Sequence, residues 1–204
     1  MHRLIFATAN KHKLREMREL LPELELKALP DGVELPPEEG DSFAAIALEK
    51  ARAAHAASGE AAIGDDSGIE AMALGGRPGI YSARYGGPGA SDEENLDKLL
   101  REVAAAGDER RAAYHCALAL VDADSSERVF EARCEGRLIE RPRGEGGFGY
   151  DPAFVPDDTG LDDERTMSEL SQAEKNEISH RGRAARLLAA HLDGDGGRVS
   201  QEAR

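Results

Sequence analysis

A short apolar run, Ala61-Ala62-Ile63, reaches two adjacent carboxylates, Asp65 and Asp66, across a single glycine, and Ser67-Gly68 follows. A buried strand that ends in acids puts them at the carboxyl edge of a sheet, where open α/β folds hold their ligands. Neighbouring carboxylates repel each other unless a cation or hydrogen-bond donors compensate. In a phosphate-handling site that cation is commonly magnesium, which takes one or two carboxylates and completes its shell with water and phosphate oxygens. The plainer reading is a turn closing the strand, since Asp, Ser and Gly all favour turns. Either way, the chain is expected to bend away at Ser67-Gly68.

The rest of the composition narrows the classes that fit. A chain of 204 residues suggests one domain, with room for two lobes. Its net charge of −14 argues against a surface for DNA or RNA, so no nucleic-acid polymer is expected as a partner. No apolar run approaches the length of a membrane span, and Met1-His2-Arg3-Leu4-Ile5-Phe6 leads into a strand rather than a leader. Cys116 and Cys134 are too few for a disulfide framework, which points to a reducing, cytoplasmic setting.

Along the chain, Leu4 to Ala7 reads as a buried strand. Thr8-Ala9-Asn10-Lys11-His12-Lys13 then opens a helix whose Leu14, Met17 and Leu21 share one face, and Pro22 ends it. A strand, a polar turn and a helix N-terminus together make a seat for an anion. The same residues also read as a simple cap by Asn10, with Lys11 and Lys13 in solvent. Asp41 or Ser42 can cap a helix over about 43–57, on which Lys50 sits beside an apolar stripe. Lys50 either snorkels to water or points into a phosphate pocket.

A Gly/Pro-rich stretch, 74–87, is expected to be a structured loop with Ile80, Tyr81 and Tyr85 buried. Ser91 and Glu94 form a capping box ahead of a core helix that Gly107 ends. Residues 112–122 and 129–136 read as the two strands of a hairpin. A second glycine-rich loop, 144–152, carries Phe148 and Tyr150, which can stack on a base or pack beneath the loop. Ser171 and Glu174 make another capping box, and Ala184, Leu187, Leu188 and Leu192 form the buried stripe of the last helix. Residues 193–204 read as a polar, disordered tail beyond a domain of 1–192.

Several of these stretches, taken in order, resemble the inosine/xanthosine triphosphate pyrophosphatases, the Ham1 family of house-cleaning enzymes. They are Ala7-Thr8-Ala9-Asn10-x-x-Lys13, Glu38-x-Gly40-x-Ser42-Phe43, Asp65-Asp66-Ser67-Gly68 and Leu74-Gly75-Gly76-x-Pro78-Gly79-Ile80-Tyr81-Ser82-Ala83-Arg84-Tyr85. Further on come Gly146-Gly147-Phe148-Gly149-Tyr150-Asp151-Pro152, Glu174-Lys175 and Ile178-Ser179-His180-Arg181-Gly182. The resemblance implies an elongated, two-lobed α/β domain built on a mixed sheet flanked by helices, with a nucleotide cleft between the lobes. It also implies a homodimer and magnesium-dependent hydrolysis of ITP, dITP and XTP to the monophosphate and pyrophosphate.

By the same resemblance, Thr8, Ala9, Asn10, Lys11, His12 and Lys13 hold the triphosphate. Glu38 and Asp66 hold the metal, with Asp66 as the catalytic acid-base residue. Ser67 contacts substrate, and Phe148, Gly149, Tyr150, Asp151, Lys175, His180 and Arg181 surround the base and sugar. Lys50 and Asp65 play supporting roles. One position departs from the family pattern: Ile46 stands where an Asn is usual.

Chemically, cleavage between the α- and β-phosphates needs charge neutralisation, an in-line water and a stabilised leaving group. A 6-oxo purine presents an acceptor where adenine presents a donor. Donors from His180, Arg181 or the N–H groups near Phe148-Gly149 would therefore favour it. Two other classes fit fewer residues. A non-catalytic nucleotide sensor would not need the full set of Glu38, Asp65 and Asp66, and an aspartyl-phosphate enzyme needs Asp-x-Asp rather than adjacent acids. A pyrophosphatase for another modified nucleotide remains the nearer alternative.

Overall fold

The computed structural model describes residues 2–160 and 162–199. The chain forms two compact units. One contains the segment up to Asp66, Cys116–Ala132 and the chain from Arg181 onward; the other contains Ser67–His115 and Arg133–His180.

The strands β1 (Arg3–Ala7), β2 (Glu25–Ala28), β3 (Ala62–Ala71), β4 (Arg111–Val121), β5 (Glu127–Leu138) and β6 (Phe154–Pro156) form one six-stranded sheet in the order β2-β1-β3-β4-β5-β6. β1 is parallel to both β2 and β3, whereas β5 and β6 are antiparallel, so the sheet is mixed. Leu4, Ile5, Phe6 and Ala7 are all buried, as expected for a strand covered on both faces.

In the first unit the helices are α1 (Lys11–Leu20), α2 (Phe43–Ser58) and α5 (His180–Val199). Phe6, Ile63, Cys116 and Leu118 pack with Met17, Leu21, Ala184 and Leu188 of α1 and α5. Ile5, Ala7 and Ala62 pack with Ala54 of α2. The alternation of strand side chains thus assigns successive residues of β3 to different helices. Gly64 faces α2 so closely that a Cβ there would lie 2.0 Å from the Ala47 carbonyl oxygen.

In the second unit, α3 (Asp92–Ala106) and α4 (Gln172–Ile178) both open on complete capping boxes, from Ser91 with Glu94 and from Ser171 with Glu174. Leu96, Leu99 and Val103 of α3 pack with Ile69, Tyr114, Leu138 and Phe154.

Four expectations change. The backbone does not turn at Ser67-Gly68; β3 runs through both residues to Ala71. Gly68 is there for space, since a Cβ would meet Ser82 Oγ at 2.4 Å and the Gly79 carbonyl at 2.5 Å. Tyr81 is 55% exposed rather than buried, with Arg84 over its ring. Leu187 is likewise exposed, and Ala185 takes its place in the stripe with Ala184, Leu188 and Leu192. Finally, α5 continues past Leu192 to Val199; the rest of the expected tail, residues 200–204, lies outside the described residues.

Candidate active site

β1 ends at Ala7, paired with Gly64, so Asp65 and Asp66 lie one and two residues beyond the paired register. The turn at Thr8–Asn10 then starts α1. Asn10 is its N-cap: Oδ1 accepts from the backbone N–H of His12 (2.9 Å) and Lys13 (3.3 Å), while Thr8 Oγ1 accepts from the Asn10 N–H (3.1 Å). The first turn carries no acidic side chain, which leaves the positive end of the helix open to an anion. Ala9, Asn10, Lys11 and His12 are exposed around it. Lys13 turns inward and pairs with Asp65 Oδ1.

Asp65 is fully enclosed. Arg181 Nε donates to its Oδ2 at 3.0 Å, and Cys116 Sγ lies 3.5 Å from the same oxygen. Arg181 also pairs through Nη1 with Glu16 Oε2. The result is a buried chain of alternating charge: Lys13, Asp65, Arg181 and Glu16. Burial alone would raise the Asp65 pKa, but Arg181 and Lys13 overcome it and hold the carboxyl well below the ordinary range. Glu16 was not marked by the sequence. Its one signal is the (i, i+3) spacing from Lys13, which puts both on one helix face.

Asp66 points to the other face, toward α2. Lys50 Nζ donates to Asp66 Oδ1 (2.9 Å), Glu38 Oε1 (2.6 Å) and the Asp65 carbonyl (3.2 Å). Lys50 therefore neither snorkels nor stands in open pocket space; it is 5% exposed and ties two carboxylates together. Burial lowers its proton affinity, but Asp66 and Glu38 more than restore it. Asp66 Oδ2 is buried with no protein partner. Burial raises the Asp66 pKa, Lys50 and Lys13 pull it back only in part, and Glu38 adds to the rise. Ile46, at the usual Asn position, is buried one helical turn before Lys50; a Cβ on Gly40 would lie 2.7 Å from its Cγ1. An apolar contact thus seats the loop that carries Glu38.

Two carboxylates that already share one cation, with a further buried oxygen uncommitted, suit a magnesium ion that draws its remaining ligands from phosphate and water. Among the described residues no group of three or more His, Cys, Asp or Glu is arranged to hold a metal unaided.

The residues assigned to base and sugar gather in the second unit, apart from Arg181. Asp151 is buried and accepts from Tyr114 Oη at Oδ1 (3.0 Å), and from Lys175 Nζ (2.8 Å) and the Phe148 N–H (3.0 Å) at Oδ2. Lys175 Nζ also lies 5.1 Å from the centre of the Phe148 ring. His180 stacks on Tyr114 with ring centres 4.6 Å apart. Tyr150 is buried and donates to the Ser82 carbonyl at 2.7 Å. The Gly149 N–H donates to Asp92 Oδ2 at 3.0 Å. The N–H groups of Phe148 and Gly149 are thus engaged within the protein, and His180 and Arg181 are both buried rather than a solvent-facing helix start. Ser67, half-buried, directly follows Asp66 on β3. Tyr114 was also unmarked by the sequence, because a lone Tyr in an apolar strand looks like core.

A family model described as the Ham1 family matches residues 4–191. The chain belongs to the Ham1 family. It is 44% identical over 202 residues to a dITP/XTP pyrophosphatase of Geobacter sulfurreducens, covering 96% of this chain and 99% of that one. It is 43% identical over 196 residues to a dITP/XTP pyrophosphatase of Thermus thermophilus, covering 94% and 93%. Among solved structures, a HAM1 protein from Coxiella burnetii superposes with a TM-score of 0.84 at 39% identity, covering 95% of this chain and all of that one. The α/β fold and mixed sheet are those of this Ham1 family.

Proposed function

We propose that this chain is a nucleoside-triphosphate pyrophosphatase that hydrolyses non-standard purine nucleotides (ITP, dITP and XTP) to the monophosphate and pyrophosphate. The observation that carries the reading is the state of Asp66: buried, engaged by Lys50 at one oxygen, and uncommitted at Oδ2. A carboxylate whose proton affinity is raised by burial and whose second oxygen has no partner is equipped as a general base. Asp66 Oδ2 accepts the proton of the water that attacks the α-phosphorus, and the bond to the bridging oxygen breaks as pyrophosphate leaves. Lys13 and Lys50 bring positive charge toward the phosphates, while the open N-terminus of α1 with Thr8 to His12 receives them. Glu38 and Asp66 are the magnesium ligands of this reading; the ion, when bound, neutralises the bridging phosphates and stabilises the leaving group.

The purine is assigned by family resemblance to Phe148, Gly149, Tyr150, Asp151, Lys175 and His180, with Ser67 on substrate. Arg181 serves instead to fix Asp65. A homodimer follows from the resemblance alone. Two buried cysteines suit a reducing, cytoplasmic setting, and no helix of the described residues is long and apolar enough to cross a membrane.

The test is pyrophosphate release from ITP, XTP, ATP, GTP and dUTP with magnesium. ITP and XTP should be turned over at least about tenfold faster in kcat/KM than ATP, a difference that one unpaired buried donor can supply. Equal or faster ATP turnover would refute the assignment. Asp66→Asn should lower kcat by roughly 10²–10⁴-fold while ITP still binds.

A further inference from the structure

Lys50 holds its three acceptors in a way that resembles a bound cation more than a surface lysine. An ammonium has three N–H donors, and here each has an oxygen: Glu38 Oε1, Asp66 Oδ1 and the Asp65 carbonyl. These oxygens come from a loop and a strand far apart in sequence, and Lys50 is what joins them. Its side chain and that of Asp66 are both 7% exposed, so the contact is shielded from water and only weakly screened.

The same two carboxylates are the magnesium ligands of the proposed function, on which this inference rests. Magnesium requires oxygens at about 2.0–2.1 Å in a near-octahedral shell. Glu38 Oε1 and Asp66 Oδ1 are already held by the ammonium, so a dication ligated by these carboxylates would have to share them with Lys50 or displace it, with Asp66 Oδ2 free of that contact. The charges point the same way. Glu38, Asp66 and Lys50 sum to a single negative charge, a poor inducement for a strongly hydrated dication; without Lys50 they would sum to two.

We propose that Lys50 is a built-in counter-ion that keeps the divalent metal out of the substrate-free protein. It yields only when a triphosphate adds its own negative charge, so metal and nucleotide load together. Lys50 would then leave Glu38 or Asp66 for a phosphate oxygen, keeping its hydrogen bonds while the metal takes the carboxylates.

The experiment is calorimetric titration of Mg2+ alone into the wild-type protein, Lys50→Met and Lys50→Arg. A neighbouring charge of this kind shifts an adjacent equilibrium by one to three powers of ten, so Lys50→Met should bind Mg2+ about tenfold or more tightly than wild type. Lys50→Arg, which keeps the charge, should stay weak. Unchanged or weaker binding by Lys50→Met would overturn the proposal and make Lys50 an organiser of the ligands instead.

A second readout covers the case in which Lys50→Met does not fold. In the wild type, inorganic pyrophosphate should tighten Mg2+ binding at least tenfold beyond the affinity of the two for each other in solution; equal affinity with and without it would overturn the proposal. Magnesium-dependent ITP turnover combined with either negative result removes this inference alone. Turnover indifferent to magnesium removes the metal reading beneath it as well.

Discussion

Asp65 and Asp66 share a peptide bond yet belong to opposite faces of β3. Asp65 is enclosed by Lys13 of α1 and Arg181 of α5, and Asp66 is held by Lys50 of α2. The period of two along a strand gives identical side chains unlike surroundings. One carboxylate is compensated twice and kept ionised. The other is under-compensated and keeps its affinity for a proton.

The two aspartates should therefore respond oppositely to loss of charge. Asp65 has a lowered pKa despite its burial, because Arg181 and Lys13 outweigh that burial. Its stabilisation is fully present above the unfolded-state value of about 3.9 and is lost as pH falls through the folded value. Asp66 has a raised pKa, from burial first, so the folded state binds its proton more tightly than the unfolded state. Stability from that residue falls as pH rises from about 3.9 through its folded value. In urea unfolding without metal at pH 7, Asp65→Asn should lose about 3–5 kcal/mol, and Asp66→Asn should raise the midpoint. Equal losses from both would show that the two faces do not differ as described.

Arg181→Met would take from the buried Asp65 one of its two cations, leaving Lys13, and from the buried Glu16 its guanidinium partner. A loss of about 3–5 kcal/mol is expected, visible as a lower thermal midpoint with ITP absent. If Arg181 instead served the purine directly, the variant would raise KM for ITP and leave the midpoint in place.

Gly64→Ala and Gly68→Ala test whether these glycines serve packing rather than turning. Each added methyl would meet oxygen atoms of a neighbouring segment: the Ala47 carbonyl for one, Ser82 Oγ and the Gly79 carbonyl for the other. Overpacking of this kind costs about 1–3 kcal/mol, measured as a shift in the denaturant midpoint. A neutral result at position 68 would show that Ser82 and Gly79 do not restrict that place to glycine.

Tyr114→Phe would remove one donor from Asp151 and leave Lys175 and the Phe148 N–H to hold it. A buried acceptor that loses a partner costs about 1–3 kcal/mol. KM for ITP should rise if the Asp151 cluster shapes the purine site, and ΔG of unfolding alone should fall if it does not.

Helix beginnings were plain in the sequence because capping is a local matter of a side chain and the next few N–H groups. Ser42, Ser91 and Ser171 all cap where their spacing suggests. The adjacent carboxylates were visible as a pair, and their different surroundings follow once the strand is known to continue. What could not be seen depends on distant partners. Glu16 is buried because Arg181 reaches it from the far end of the chain. Ser67-Gly68 looks like a turn by composition, but Gly68 answers to Ser82 and Gly79 on another segment. Tyr81 and Leu187 are apolar by type and exposed by position, which hydrophobic pattern alone does not distinguish.

The unbroken course of β3 has a consequence for how this gene product can vary in length. A residue inserted or deleted between Ala62 and Asp65 would move each aspartate into the other's phase. An insertion would carry Asp65 into the place that faces Lys50, and a deletion would carry Asp66 into the socket between Lys13 and Arg181. Substitutions along this strand can be judged one at a time, whereas a single-residue slip would give one acid the other's surroundings and leave the remaining place without a carboxylate.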